Sequence, residues 1–179
     1  MINYTVGDLM DTKPVGNKSV IIAHCCNNKG GWGSGVVLAI SKKWKLPEQS
    51  YRRWASGDRT PFLSQDVKND SMPKFQLGNI QVVEVEDKIH VANMIAQHDV
   101  CFYGDIPPIR YDRLRQCFNK LAKAAKELDA YVALPRLGCG LAGGSWAVVE
   151  GLIKETLVPK GIKVIVYDLI IWSRNHTLT

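Results

Sequence analysis

IIAHCCNNKGGWGSGVVLAI, residues 21–40, passes from an apolar run through a histidine, two cysteines, two asparagines and four glycines to a second apolar run of different period. With Ser19 and Val20 in front, SVIIAH is a continuous, mostly β-branched run, the mark of a strand buried on both faces. After the glycines, VVLAISKKW over 36–44 fits a helix, with Pro47 stopping it. The order is strand, glycine loop, helix.

The same order returns later in the chain. YVALP over 131–135 reads as a strand, RLGCGLAGGSW over 136–146 as a second glycine loop, and Val148, Val149, Leu152 and Ile153 as one face of a following helix. Ahead of the first unit, residues 2–6 form a short strand. Residues 59–78 form a polar surface excursion, and IQVVEVEDKIHVANMI over 80–95 reads as a hairpin or two successive strands on either side of Glu86-Asp87-Lys88. Pro107 and Pro108 delay the next element. Leu114, Cys117, Phe118, Leu121, Ala125 and Leu128 then recur at helical spacing, with a solvated Lys and Arg face between them. KVIVYDLIIW over 163–172 closes the chain as a strand. Strands alternating with helices predict an α/β fold whose mostly parallel sheet is covered on both faces.

At 179 residues, 46% hydrophobic and 22% charged, the chain is expected to form one globular domain over residues 1–179. The net charge of +6 favours anionic partners, although its 23 Lys and Arg are scattered rather than clustered. Five cysteines without a signal-peptide pattern point to a reducing, cytoplasmic setting, and no apolar run approaches the ~20 residues a membrane span needs.

Each glycine loop follows a buried strand and precedes a helix, which in an open α/β sheet places both at the carboxyl ends of strands, where ligands bind. Glycine lets backbone N–H groups approach an anion, and a helix N-terminus adds partial positive charge; the alternative is glycine serving turns and packing alone. Neither loop is a P-loop or a dinucleotide fingerprint. His24, Cys25 and Cys26 are adjacent rather than spaced as metal ligands, so no metal is expected, and Cys139 has no histidine near it in sequence to make it a nucleophile.

VGDL at 6–9, HCCNNKGGWGSGVVLAI at 24–40, LPRLGCGLAGGSW at 134–146 and VIVYDL at 164–169 together resemble the macro domain, in its order and spacing. Within that family the pattern is most similar to the ADP-ribose 1″-phosphate phosphatase branch. The resemblance implies a three-layer α/β/α sandwich with a mixed, mostly parallel central sheet, binding ADP-ribose at the strand ends. It implies Asp8 as acceptor for the adenine amino group, a backbone N–H from Leu9, and Asn27 on the distal ribose. Gly33, Ser34, Gly35 and Val36 would form the loop beside that ribose and the phosphates. Gly138, Cys139, Gly140, Leu141, Ala142 and Gly143 would form the diphosphate loop, with Tyr167 near the adenine.

His24 resembles the histidine that the phosphatase branch places at the head of the first loop; its imidazole accepts a proton near neutral pH, so the resemblance implies a group that activates water or attacks phosphorus itself. The alternative is a histidine that only shapes the loop. The family's lysine–aspartate hydrolases would need Lys near Gln97 and Asp at Ala142, and the chain has neither. His98, Asp99 and Asp105, on a loop after a strand, are further acid or base candidates. The expected activity is a metal-free and cofactor-free phosphatase converting ADP-ribose 1″-phosphate to ADP-ribose and phosphate. An ADP-ribosyl hydrolase acting on modified protein or nucleic acid and a non-catalytic ADP-ribose reader are the alternatives. The expected partners are ADP-ribose, its 1″-phosphate and ADP-ribosylated macromolecules, with no membrane and a monomeric state.

Overall fold

The computed structural model describes residues 1–58, 73–101, 104–140 and 142–169. Among these the order is β1 (Ile2–Val6), β2 (Ser19–Asn27), α1 (Val36–Lys43), α2 (Leu46–Ser56), β3 (Ile80–Glu86), β4 (Ile89–Gln97), α3 (Tyr111–Glu127), β5 (Ala130–Leu134), α4 (Trp146–Thr156) and β6 (Val164–Asp168). Short 3-10 turns at Leu9–Asp11 and Val158–Lys160 complete the description.

The strands make one six-stranded sheet in the order β1-β6-β5-β2-β4-β3. All neighbours are parallel except β3 and β4, which form the hairpin of the two arrangements expected there, with Val83 facing Val91 and Lys88 in the left-handed turn position at φ 60°. β2 is central. Val20 lies opposite Tyr131 of β5 on one side and Ile89 of β4 on the other, which is why SVIIAH is apolar at successive positions rather than at alternate ones.

Because side chains alternate along a strand, β2 feeds two cores. Ile21 and Ala23 join Met94, Val132, Leu134 and Val166 beneath α3 and α4, where Leu114, Phe118 and Leu121 are fully buried at about 1.5–3 kcal/mol each. Val20, Ile22 and Cys26 join Val91, Ile95 and Ala133 beneath the opposite layer, which holds α1 and α2. The result is the expected three-layer α/β/α sandwich.

Two expectations need correction. Pro47 does not merely stop a helix: α1 ends at Lys43, and Pro47 sits in the first turn of α2, where its missing N–H would have had no helical partner in any case. The surface connection expected over 59–78 lies outside the described residues as far as 72. Its end is no excursion, since Phe75 packs its ring against Tyr51 and Trp54 at 5.6 and 5.2 Å between centroids. The last strand is described as far as Asp168, and 170–172 of its expected span lie outside the described residues.

Candidate ligand-binding cleft

β2 and β5 are parallel neighbours, so the loops that follow them leave the same edge of the sheet. Their helices depart to opposite faces, α1 to one and α4 to the other, and this opens a crevice between the two loops. A cleft of about 690 Å³ occupies it. Asp8, Leu9, Asn27, Gly33, Ser34, Gly35, Val36, Gly138, Gly140, Ala142 and Tyr167, all singled out in the sequence, line it together.

The β1 end is set by the turn at Leu9–Asp11. Asp8 caps it, one carboxylate oxygen accepting from the Met10 N–H at 2.9 Å, which leaves the other oxygen for a ligand. Tyr167 flanks Gly7, whose N–H is held by the Asp168 carbonyl at 2.9 Å. At the other end Asn27 organises the first loop. Its Oδ1 accepts from the N–H groups of Lys29 and Gly31, at 2.9 and 3.0 Å, and its Nδ2 donates to the Gly31 carbonyl at 2.9 Å. One Nδ2 hydrogen remains for a ligand, so Asn27 is at once the builder of the loop and a lining group.

The second loop is folded on itself. Gly143 N–H bonds the Gly140 carbonyl at 3.0 Å and Gly144 N–H the Gly138 carbonyl at 2.7 Å. A Cβ on Gly144 would stand 2.4 Å from that Gly138 oxygen, so this tight crossing requires glycine. Two expected contacts are therefore corrected. The Gly143 N–H is already engaged, and Cys139 turns its thiol to the Leu137 carbonyl at 3.3 Å, so neither lines the cleft. Burial pushes the Cys139 thiol up, which weighs against a nucleophilic role. Leu141 lies outside the described residues.

The larger correction concerns His24. It shares the Val20 and Ile22 face of β2, is 0% exposed and does not line the cleft, although Cys25, Cys26 and Asn27 after it do. Its Nε2 meets Asn93 Oδ1 at 2.6 Å. Asn93 Nδ2 donates to the Pro47 carbonyl and to Gln81 Oε1, at 3.2 and 3.1 Å, so Oδ1 is the acceptor and Nε2 carries the hydrogen. Burial lowers the imidazole to about 4, opposed only in part by the Asn93 bond. A neutral ring sealed beneath the sheet face has no surface on the cleft, which weighs against its service as the water activator.

Several lining residues were not found in the sequence. Gln97 and Val100 border the first loop, and Arg136 borders the second. Arg136 is held by both oxygens of Asp168, at 2.6 and 3.0 Å, and lies over the rings of Tyr4 and Trp146 at 5.3 and 5.4 Å. Its place directly after a strand-ending proline and before the glycines was the available signal. Of the other acid or base candidates, His98 meets Asn28 at 3.0 Å and Asp99 N–H donates to Asn28 Oδ1 at 2.8 Å; neither these two nor Asp105 line the cleft. Among the described residues no cluster of three His, Cys, Asp or Glu is placed to hold a metal, and no helix is long and apolar enough to cross a membrane.

A strand-end cleft between two glycine loops of an α/β/α sandwich sets those loops, the Asp8 carboxylate and the Asn27 amide around one crevice, the usual place for a ligand in such folds. No family model matches the chain. A macrodomain protein from Streptomyces coelicolor, however, superposes with a TM-score of 0.74 at 40% identity, over 94% of this chain and 99% of that one. The chain belongs to the macrodomain family. It is also 30% identical over 176 residues to the chromodomain-helicase-DNA-binding protein 1-like of Danio rerio, covering 93% of itself and spanning only 15% of that protein's length. Candida albicans ADP-ribose 1″-phosphate phosphatase is 24% identical over 159 residues, 87% of this chain and 93% of the phosphatase.

Proposed function

We propose that the cleft binds ADP-ribose, with adenine at the Asp8, Leu9 and Tyr167 end, the diphosphate between the glycine loops and the distal ribose beside Asn27. One observation carries the reading: the adjacency of β2 and β5 brings both loops onto a single cleft that also holds Asp8. Macrodomain membership and the phosphatase relative support the choice of ligand. Calorimetric titration with ADP-ribose tests it, one-site binding weakened by Asp8→Ala being the expected result.

The reaction we propose is release of phosphate from ADP-ribose 1″-phosphate, supported by the near full-length match to the Candida phosphatase. Water oxygen bonds phosphorus, the bond from phosphorus to the ribose oxygen breaks, and a proton from water ends on that oxygen. With His24 sealed away, the lining groups nearest the first loop are the amides of Asn27 and Gln97 and backbone N–H groups. The substrate's own phosphate oxygens are then the bases at hand, with those amides orienting water and backbone donors meeting the charge. Incubation with ADP-ribose 1″-phosphate and assay of inorganic phosphate tests the step.

A second reading is a non-catalytic ADP-ribose reader. It is favoured by the absence of imidazole and lysine among the described lining residues. Binding without phosphate release selects it. Hydrolysis through a lysine–aspartate pair is disfavoured, because Gln97 and Ala142 do line the cleft and bring an amide and a methyl group.

A further inference from the structure

Trp32 immediately precedes the Gly33-Ser34-Gly35 turn. It is almost fully buried and is held on three sides. The His24 ring meets it edge-on at 5.3 Å and 89°, and Tyr51 packs against it at 5.4 Å. Its indole N–H donates to Ser41 Oγ of α1 at 2.7 Å, and Ser41 Oγ stands 2.7 Å from Glu48 Oε2 of α2. An indole only donates and a carboxylate only accepts, so the direction of the chain is fixed: Trp32 N–H to Ser41 oxygen, Ser41 O–H to Glu48. Neither Ser41 nor Glu48 lines the cleft, whereas Trp32 does.

The turn itself has few other holds. Gly33, Ser34 and Gly35 are exposed, and a Cβ on Gly33 or Gly35 would meet nothing within 4 Å. Its shape is therefore set from its ends, by Trp32 before it and by α1 after it. Ser41 lies on α1 itself, so one hydroxyl ties the two ends together, and a charge-assisted bond to Glu48 polarises that hydroxyl. We propose that Glu48 is a positioning residue for the ligand loop: acting through Ser41 and Trp32, it holds the Gly33-Ser34-Gly35 turn in the shape that receives the ligand. His24, edge-on against Trp32, belongs to the same support. The ligand named in the test rests on the ADP-ribose reading above.

The test is a double-mutant cycle on the full chain, read by ADP-ribose affinity and by amide exchange at residues 33–37 and 130–134. Glu48 is partly exposed at the surface of α2, so its removal spares the core. Glu48→Ala and Ser41→Ala are each expected to weaken ADP-ribose binding about tenfold. Each should also speed exchange at 33–37 while leaving β5 unchanged. The double variant should be no worse than either single one, because both break one chain. Glu48→Gln, which keeps an acceptor, should return affinity to within about threefold of the parent. Unchanged affinity and exchange in Glu48→Ala, or losses that add in the double variant, would overturn the proposal. If the parent protein does not bind ADP-ribose, the ligand reading fails by itself, and the exchange measurement still decides the relay.

Discussion

Tyr51 of α2 donates its buried phenol O–H to the carbonyl of Asn27, 2.6 Å away at the end of β2, with Asn27 Oδ1 at 3.0 Å from the same oxygen. The helix that the sequence concealed behind Pro47 thus fixes the residue on which the first loop is built. Tyr51→Phe keeps the ring and removes the donor to the buried Asn27 carbonyl, while Oδ1 keeps its bonds from the Lys29 and Gly31 N–H groups. It should cost about 1–3 kcal/mol in urea denaturation and also weaken ADP-ribose binding. A variant of parental stability and affinity would show that the bond holds nothing.

His24→Ala separates support from chemistry. Removing the ring leaves a void beside Trp32 and strips Asn93 Oδ1 of its donor, so a stability loss of about 2–5 kcal/mol is expected. Phosphate release per folded molecule, measured below the melting point, should fall modestly rather than vanish. Parental stability with abolished turnover would restore His24 as the catalytic group.

The same residue sets a pH dependence. A histidine lowered to about 4 stays unprotonated in the folded state at pH values where the unfolded chain, near 6.5, takes up a proton. Stability from this source is therefore complete above pH 6.5 and falls as pH drops toward 4, by roughly 3 kcal/mol over the span. His90, also lowered by burial, acts in the same direction. Urea denaturation at pH 7.5 and 4.5 should show the fall, and His24→Gln should flatten most of it. Equal slopes in parent and variant would contradict the assignment.

Gly144→Ala tests the second loop. The added methyl cannot coexist with the Gly138 carbonyl at 2.4 Å, so the loop must open. ADP-ribose affinity should drop at least about tenfold, while the far-ultraviolet circular dichroism stays that of the parent. Retained affinity would mean that the closed loop is not the form that binds.

Much of this was legible in the sequence for identifiable reasons. SVIIAH marked the central strand because a strand with neighbours and helices on both sides has no polar face to display. The helix over 111–127 was legible because only one of its faces is covered. The two glycine loops were placed correctly because parallel strands bring their following loops to one edge. What stayed hidden depended on contacts across the fold. Pro47 reads equally as a stop or as a first-turn residue, and only Tyr51 and Trp54 packing against Phe75 shows which. The burial of His24 depends on which face of β2 α2 covers, and the chain order does not state that. Arg136 gained its place from Trp146 at the far end of its own loop and from Asp168 and Tyr4, two residues distant in sequence.

The central claim is that the strand-end cleft takes ADP-ribose with Asp8 at its adenine end. Calorimetric titration of the parent and of Asp8→Ala tests it most directly. Saturable one-site binding by the parent, weakened about tenfold or more in the variant, is the predicted result. No heat of binding in the parent, or equal affinity in both proteins, would contradict it.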